Sequence, residues 1–182
     1  MAEISRGVAW LRAGRLAEAL TQLDHGIERL MQTGHRIWIW YLRALRAEAL
    51  ALTGDIDGAW RLIEESVVRI ESGEERSHYA EVLRLRGWLL ILRGEPEQAA
   101  AILRKSLTVA RDQHAKSWEL RAATTLARLL ASRGDQAEAF AVLAPVYEWF
   151  TEGRGTRDLR EAAQLLAELR GAPPARQFRT VH

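Results

Sequence analysis

The sequence predicts an all-α fold, an α-solenoid of stacked helix-turn-helix repeats that coil as a right-handed superhelix. Glycines recur every 40 residues, small and apolar residues keep the same period around them, and no segment alternates in the way typical of a β-strand. A period of this length indicates stacked supersecondary units, each of which buries its face on the next. The four glycines are Gly14, Gly54, Gly94 and Gly134.

Each repeat is predicted to contain two helices joined at its glycine. Apolar residues follow helical spacing, as in Val82, Leu85 and Leu89 ahead of Gly94. A glycine after a helix adopts the left-handed conformation without a steric penalty. We expect a capping helix near 157–170, after four helix pairs. The pairs are expected at 2–13 and 16–33, 36–53 and 55–72, 77–93 and 95–113, and 116–133 and 135–151.

Several residues mark where these helices begin or are interrupted. Asp55 is a suitable N-cap, and Pro96 suits the first turn of a helix, where its missing N–H is not needed. Asp135 and Glu138 resemble a capping box. Pro145 lies inside the eighth helix, so we expect a kink or a break there.

Small residues recur seven positions before and five positions after each glycine, where the two helices of a repeat are expected to cross. Replacing Gly87 with leucine should therefore force the fifth and sixth helices apart. This order of small, large and turn positions is the tetratricopeptide pattern, whose usual period is about 34 residues. The small residues are Gly7, Ala47, Gly87 and Ala127 before the glycines, and Ala19, Ala59, Ala99 and Ala139 after them.

The second half of the sequence also resembles a particular group of proteins. Residues 79–87 lead into 94–99, residues 116–123 and 143–153 follow, and Asp158-Leu159 lies beyond them. Together these segments are similar to the C-terminal tetratricopeptide region of large bacterial signalling ATPases of the nucleotide-cyclase or transcriptional-regulator type. The resemblance covers residues 79–169 and implies a sensory or scaffolding region linked to an ATPase or effector domain.

The predicted domain organisation is one array, with four repeats and the capping helix in residues 1–171 and a flexible tail in residues 172–182. Apolar residues lie in the first helix, at the end of the array, where repeat proteins need a polar cap. We therefore expect self-association or fraying through this uncapped N-terminal end. The residues concerned are Ile4, Val8, Trp10 and Leu11.

Composition and missing motifs exclude several classes of function. The chain has 182 residues, no Cys and a formal net charge of +2, and its basic residues are interleaved with acids. Nucleic-acid binding, a membrane span and a cysteine-ligated metal are therefore not expected. No phosphate-binding loop and no Gly-x-Ser-x-Gly elbow is present. We expect a cytoplasmic, non-catalytic protein without a cofactor or a metal.

The candidate binding surface is the concave groove that the first helices of such repeats line. An exposed Trp88 beside Arg84, Arg121 and Arg128 would suit an acidic or aromatic partner. Two alternatives stay open: Trp88 packs over Leu85 and Leu92 in the core, or the groove senses a small-molecule effector. The candidate groove residues are Tyr41, Glu48, Glu81, Arg84, Trp88, Arg121, Thr124 and Arg128.

Two further sets of residues are interpreted as structural. Arg6, Arg46 and Arg86 share one position of the repeat, and an arginine among apolar residues needs a paired head group. Their acidic partners cannot be named from the pattern. Most of the tryptophans are predicted to pack in the core, and Trp149 is expected to lie under the last helix; the core set is Trp10, Trp38, Trp60 and Trp118.

Overall fold

The structure is a computed structural model that describes residues 2–34, 38–73 and 75–171, with side chains from Ser5 onward. In these ranges all regular structure is helical. The nine helices described are α1 (Ala2–Arg12), α2 (Leu16–Gln32), α3 (Ile39–Leu52), α4 (Ile56–Ser72), α5 (Tyr79–Leu92), α6 (Pro96–Asp112), α7 (Lys116–Ser132), α8 (Gln136–Glu148) and α9 (Arg157–Gly171).

The chain divides into two compact units, Met1–Ser106 and Leu107–His182, which we call unit 1 and unit 2. In unit 1, α1 packs on α2, α3 packs on both α2 and α4, and α5 packs on α3 and α4. In unit 2, α7 packs on α8, and α9 packs on both of them. Each unit thus repeats one scheme, in which the helices of a pair pack on each other and on the element next to them.

The turns between paired helices form as the sequence predicts. Gly14, Gly54, Gly94 and Gly134 all have φ between 75° and 97°, which is the left-handed region that only glycine adopts without strain. The Asp55 carboxylate accepts a hydrogen bond from the Gly58 backbone N–H at 2.8 Å, and α6 begins at Pro96.

The capping box predicted for α8 is wrong, and of the kink or break predicted at Pro145 the break is wrong. The Asp135 side chain makes no capping hydrogen bond, so the expected capping box is not formed. The helix is not broken at Pro145 but continues to Glu148. It nevertheless ends three residues earlier than predicted and is shorter than α2, α4 and α6.

Small residues lie where paired helices cross, which explains their period. Ala47, Ala59 and Ala99 are fully buried. At Gly87, a Cβ atom would lie 2.6 Å from Leu103 Cγ and 2.8 Å from Leu103 Cδ2. Glycine is therefore the residue that fits between α5 and α6 without repacking. The Ser106 hydroxyl also joins these helices, because it donates to the Ala80 carbonyl at 2.7 Å.

Three further expectations differ from the structure or fall outside it. Of the apolar residues predicted to be uncovered on α1, Leu11 is buried and Val8 and Trp10 are half-buried, whereas the described residues exposed on this helix are Ser5, Arg6 and Ala9. No tryptophan belongs to the buried core in the part of the chain that the structure describes, and Trp149 is 57% exposed rather than covered by α9. The predicted tail, residues 172–182, and the side chain of Ile4 lie outside the described residues.

Candidate partner-binding face

The first helices of the second and third repeats present one continuous face in unit 1. Glu48 and Leu52 are one turn apart on α3, and Trp88 and Leu92 stand 40 residues later at the equivalent positions of α5. Arg84 lies one turn before Trp88 and approaches Glu48 across the two helices. We call this set, Glu48, Leu52, Arg84, Trp88 and Leu92, the α3–α5 face.

A network of four charges connects Glu48 and Arg84 of the α3–α5 face with Arg12 and Glu81. The Arg84 guanidinium donates to both carboxylate oxygens of Glu81, with Nε–Oε2 at 2.9 Å and Nη2–Oε1 at 3.0 Å. Arg12 reaches from the end of α1 to Glu48, with Nη1–Oε1 at 3.3 Å, and to Glu81, with Nη2–Oε1 at 3.9 Å. Arg84 Nη2 is also 3.9 Å from Glu48 Oε1. Two arginines thus balance two glutamates across three helices.

Burial distinguishes these groups from an ordinary surface ion pair. The Glu81 side chain has 0% exposure, and the side chains of Arg84 and Glu48 are 11% and 13% exposed. The prediction that Glu81 faces a binding partner is therefore wrong: it lies beneath the face and fixes Arg84 there. Because the four formal charges cancel, the face carries no net charge from this network.

The accessible part of the α3–α5 face is apolar. Leu52 is 50% exposed and Leu92 is 46% exposed, and each is the last residue of its helix. Trp88 is half-buried, so it is neither fully exposed nor packed away in the core. The equivalent positions outside this helix pair are Arg12 and Ser132, so the exposed leucines are confined to α3 and α5. Exposed apolar residues grouped in this way are typical of interaction sites.

An aromatic cluster lies where α3 and α5 begin. The Tyr41 ring stacks on His78 with centroids 4.3 Å apart, and Trp38 meets the same imidazole edge-on at 5.4 Å. Burial lowers the pKa of His78, because it disfavours the charged imidazolium, and the carboxylates of Glu75 and Glu81 oppose this only in part. The histidine is therefore held neutral as an aromatic packing partner.

In unit 2, arginines on the equivalent face of α7 pair with acidic residues of α9. Arg121 donates to Asp158 with Nε–Oδ2 at 2.6 Å, and Arg128 Nη2 lies 3.1 Å from Glu161 Oε2. Burial acts to raise the pKa of Glu161, but hydrogen bonds from Arg157 and Arg128 outweigh it and hold the pKa below its ordinary value. The two unit 2 arginines that were predicted to meet an acidic partner, Arg121 and Arg128, therefore each already pair with an acid on α9.

Each unit brings together only part of the predicted groove set. Thr124 is buried and its hydroxyl donates to the Leu120 carbonyl of its own helix, so it is not available to a partner. Residues that the sequence prediction missed include Leu52 and Leu92. They could have been found by comparing residues 40 apart at the helix ends. The predicted residues that are exposed or half-buried are Tyr41, Glu48, Arg84 and Trp88 in unit 1 and Arg121 and Arg128 in unit 2.

Acidic partners are now identified for Arg46 and Arg86, two of the three repeated arginines, whereas Arg6, the third, is exposed on α1. Arg46 pairs with Asp24, and Arg86 pairs with Glu64 through both carboxylate oxygens, at 2.6 Å and 3.0 Å. Asp24 and Glu64 are themselves 40 residues apart, on the second helix of the preceding repeat. The structural interpretation of these arginines is confirmed at both positions. Trp60 also lies beside Arg86 and Arg93, with guanidinium-to-ring distances of 5.9 Å and 5.0 Å.

No helix in the described part of the chain is long and apolar enough to cross a membrane. The described residues also contain no group of three or more His, Asp or Glu side chains arranged to hold a metal ion.

Comparisons with known proteins agree with this architecture. Two crystal structures of TPR-like repeats of a kinesin light chain from Podosopora anserina, one of them a substituted form of the other, superpose with TM-scores of 0.65 and 0.64. They share 16% and 17% identity with this chain, and each alignment covers 92% of this chain and 83% of the other. At this identity the likeness establishes the fold alone.

Sequence comparison identifies the family. A search of curated protein sequences finds no significant match. The tetratricopeptide repeat family matches the chain four times, over residues 1–25, 40–65, 80–105 and 120–145. These matches have the predicted period of 40 residues, and the predicted all-α solenoid class is confirmed. The chain belongs to the tetratricopeptide repeat family.

Proposed function

We propose that this chain is a non-catalytic module that binds a partner protein through the first helices of its repeats. Tetratricopeptide repeats generally mediate protein–protein interaction, and stacked repeats present extended surfaces for it. The observation that supports the proposal most directly is the α3–α5 face, where Leu52 and Leu92 remain exposed beside Trp88 although most apolar residues of α3 and α5 are buried.

The partner class that we propose is the ATPase or effector domain of a bacterial signalling or transcription regulator, in the cytoplasm. This part of the proposal is supported by the resemblance of residues 79–169 to the repeat regions of such proteins. Self-association through α1 is not included, because the described residues exposed on this helix are small or polar.

A pull-down from the source cell with identification by mass spectrometry tests this function. The full chain should capture a specific protein, and that protein should bind the purified chain directly. The matched control is the chain with Gly87→Leu, which should lose capture because the substitution overpacks the α5–α6 crossing. Failure of the wild-type chain to retain any specific protein would contradict the proposal.

A further inference from the structure

We propose that the α3–α5 face takes a partner segment that presents two uncharged apolar side chains about 10 Å apart, one on Leu52 and one on Leu92. This inference rests on the proposed function and narrows it, because it assigns the partner's chemistry and the two helices that recognise it. It also replaces the acidic partner that the sequence predicts.

The four charges of the network make a charged partner segment unfavourable. Glu81 accepts two hydrogen bonds from Arg84, and Arg12 bridges Glu81 and Glu48, so the two cations are balanced by the two anions. An acidic side chain brought to the face would have to compete with Glu81, which is fully buried and already in place. A basic side chain would meet the cations Arg84 and Arg12 beside Glu48, which is itself largely buried. Neither sign of charge gains a complementary surface here.

The apolar residues define the geometry of the occupant. Leu52 and Leu92 occupy equivalent positions on two helices that pack against each other. Neighbouring packed helices have axes about 8–10 Å apart, so the two leucines are separated by about one helix spacing. A helical segment reaches both with side chains seven residues apart, about 10.5 Å along its axis. An extended segment does not match this spacing, because its side chains three residues apart point to opposite faces.

The proposed apolar anchor positions are limited to the second and third repeats. The equivalent residue in the first repeat is Arg12, which is committed to Glu48 and Glu81, and in unit 2 it is Ser132, which donates to the Leu129 carbonyl at 2.7 Å. Neither can serve as an apolar anchor. Two anchors, and not a longer series, are therefore expected in the partner, with Trp88, one turn before Leu92, as a further aromatic contact.

The test uses dye-labelled synthetic peptides and the full chain, with binding measured by fluorescence anisotropy. A helical peptide with leucines seven residues apart is compared with versions carrying lysine or glutamate at both positions. The leucine peptide should bind, and its charged versions should bind about tenfold weaker or worse, because a buried leucine side chain is exchanged for a charge.

Variants of the protein locate the site. Leu52→Ser and Leu92→Ser should each weaken binding of the leucine peptide about tenfold. Both variants change exposed residues, so circular dichroism should show an intact fold. Val68→Ser is the matched control, since Val68 is an exposed apolar residue of α4 in the same unit. It should leave the affinity unchanged.

Three results would overturn the inference: the leucine peptide does not bind, the charged versions bind as tightly, or the Leu52 and Leu92 variants behave like the Val68 control. Its failure is separable from that of the proposed function. A captured partner that still binds a chain with both leucines replaced refutes the apolar anchors but leaves partner binding established.

Discussion

Each unit contains a glutamate that pairs with two arginines, but the two glutamates are buried to different degrees. Glu81 in unit 1 and Glu161 in unit 2 are 80 residues apart, two periods, and each pairs with two arginines. Glu81 is fully buried, whereas the Glu161 side chain is 35% exposed. Above Glu81 the surface is apolar, with Leu52 and Leu92, whereas the corresponding surface of α7 carries Arg128 and Ser132. The comparison indicates that burying the charges of unit 1 leaves an apolar surface free for a partner.

The largest expected difference between the units comes from removing these two acids. Glu81→Ala should lower the free energy of unfolding by about 3–5 kcal/mol, because it removes both hydrogen bonds that Glu81 accepts from the largely buried Arg84. Glu161→Ala should lower it by about 1 kcal/mol or less, because Arg128 and Arg157 remain hydrated at the surface. Urea denaturation of the two variants measures both values. Equal losses would contradict the assigned difference in burial.

The helix crossings provide a second comparison between the units. Gly87→Ala should destabilise the protein by about 1–3 kcal/mol, because the new Cβ meets Leu103 within 3 Å. This exceeds the gain of about 0.5–1 kcal/mol that alanine normally gives over glycine in a helix. Ala127 is the equivalent residue of α7, and Ala127→Gly should also destabilise, by about 1 kcal/mol. A Gly87→Ala variant that is more stable than the wild type would show that α5 and α6 are not this close.

The aromatic cluster should give unit 1 a pH dependence near and below about pH 6.5 that has no counterpart at the equivalent residue of unit 2. Burial lowers the pKa of His78 in the folded state, so the unfolded chain binds the proton first as the pH falls below about 6.5. The stability that depends on neutral His78 is complete above this pH and decreases below it. The equivalent residue of unit 2, Trp118, does not titrate.

Unfolding free energies at pH 7.5 and pH 5.5 test this expectation. The wild type should lose stability at the lower pH, and His78→Gln should lose less, although it is less stable at pH 7.5 because the stacking on Tyr41 is gone. The same pH dependence in both proteins would show that His78 is not the responsible group.

The smallest expected effect concerns the exposed tryptophan of unit 2. Trp149→Ala should change the free energy of unfolding by about 0.5–1 kcal/mol, because the ring is 57% exposed and its described cation contact is Lys116, 5.3 Å from its centroid. Thermal denaturation against the wild type measures the change. A loss of several kcal/mol would mean that the ring is packed under α9, as the sequence suggested.

The period of the sequence was sufficient to predict the fold but not the pairing of charges. Gly94 is required by a left-handed turn, and Gly87 is required by a close helix crossing. Each requirement concerns a single position, and both the turn glycine and a small residue at the crossing recur every 40 residues. The position of Glu81 depends on Arg12 and Arg84, two residues of different helices, so its own place in the repeat could not reveal its burial. The same holds for Arg121 and Arg128, whose partners lie on α9, a helix outside the four repeats.

The most direct test of the central claim is partner capture by two variants, Leu92→Ser in unit 1 and Arg128→Glu in unit 2. Both residues are on first helices of their repeats and both side chains are exposed, so both variants should fold. With the captured partner as the probe, Leu92→Ser should weaken binding about tenfold and Arg128→Glu should leave it within a factor of about two. Loss of binding in Arg128→Glu with full binding in Leu92→Ser would contradict the account and place the partner on the charged surface of unit 2.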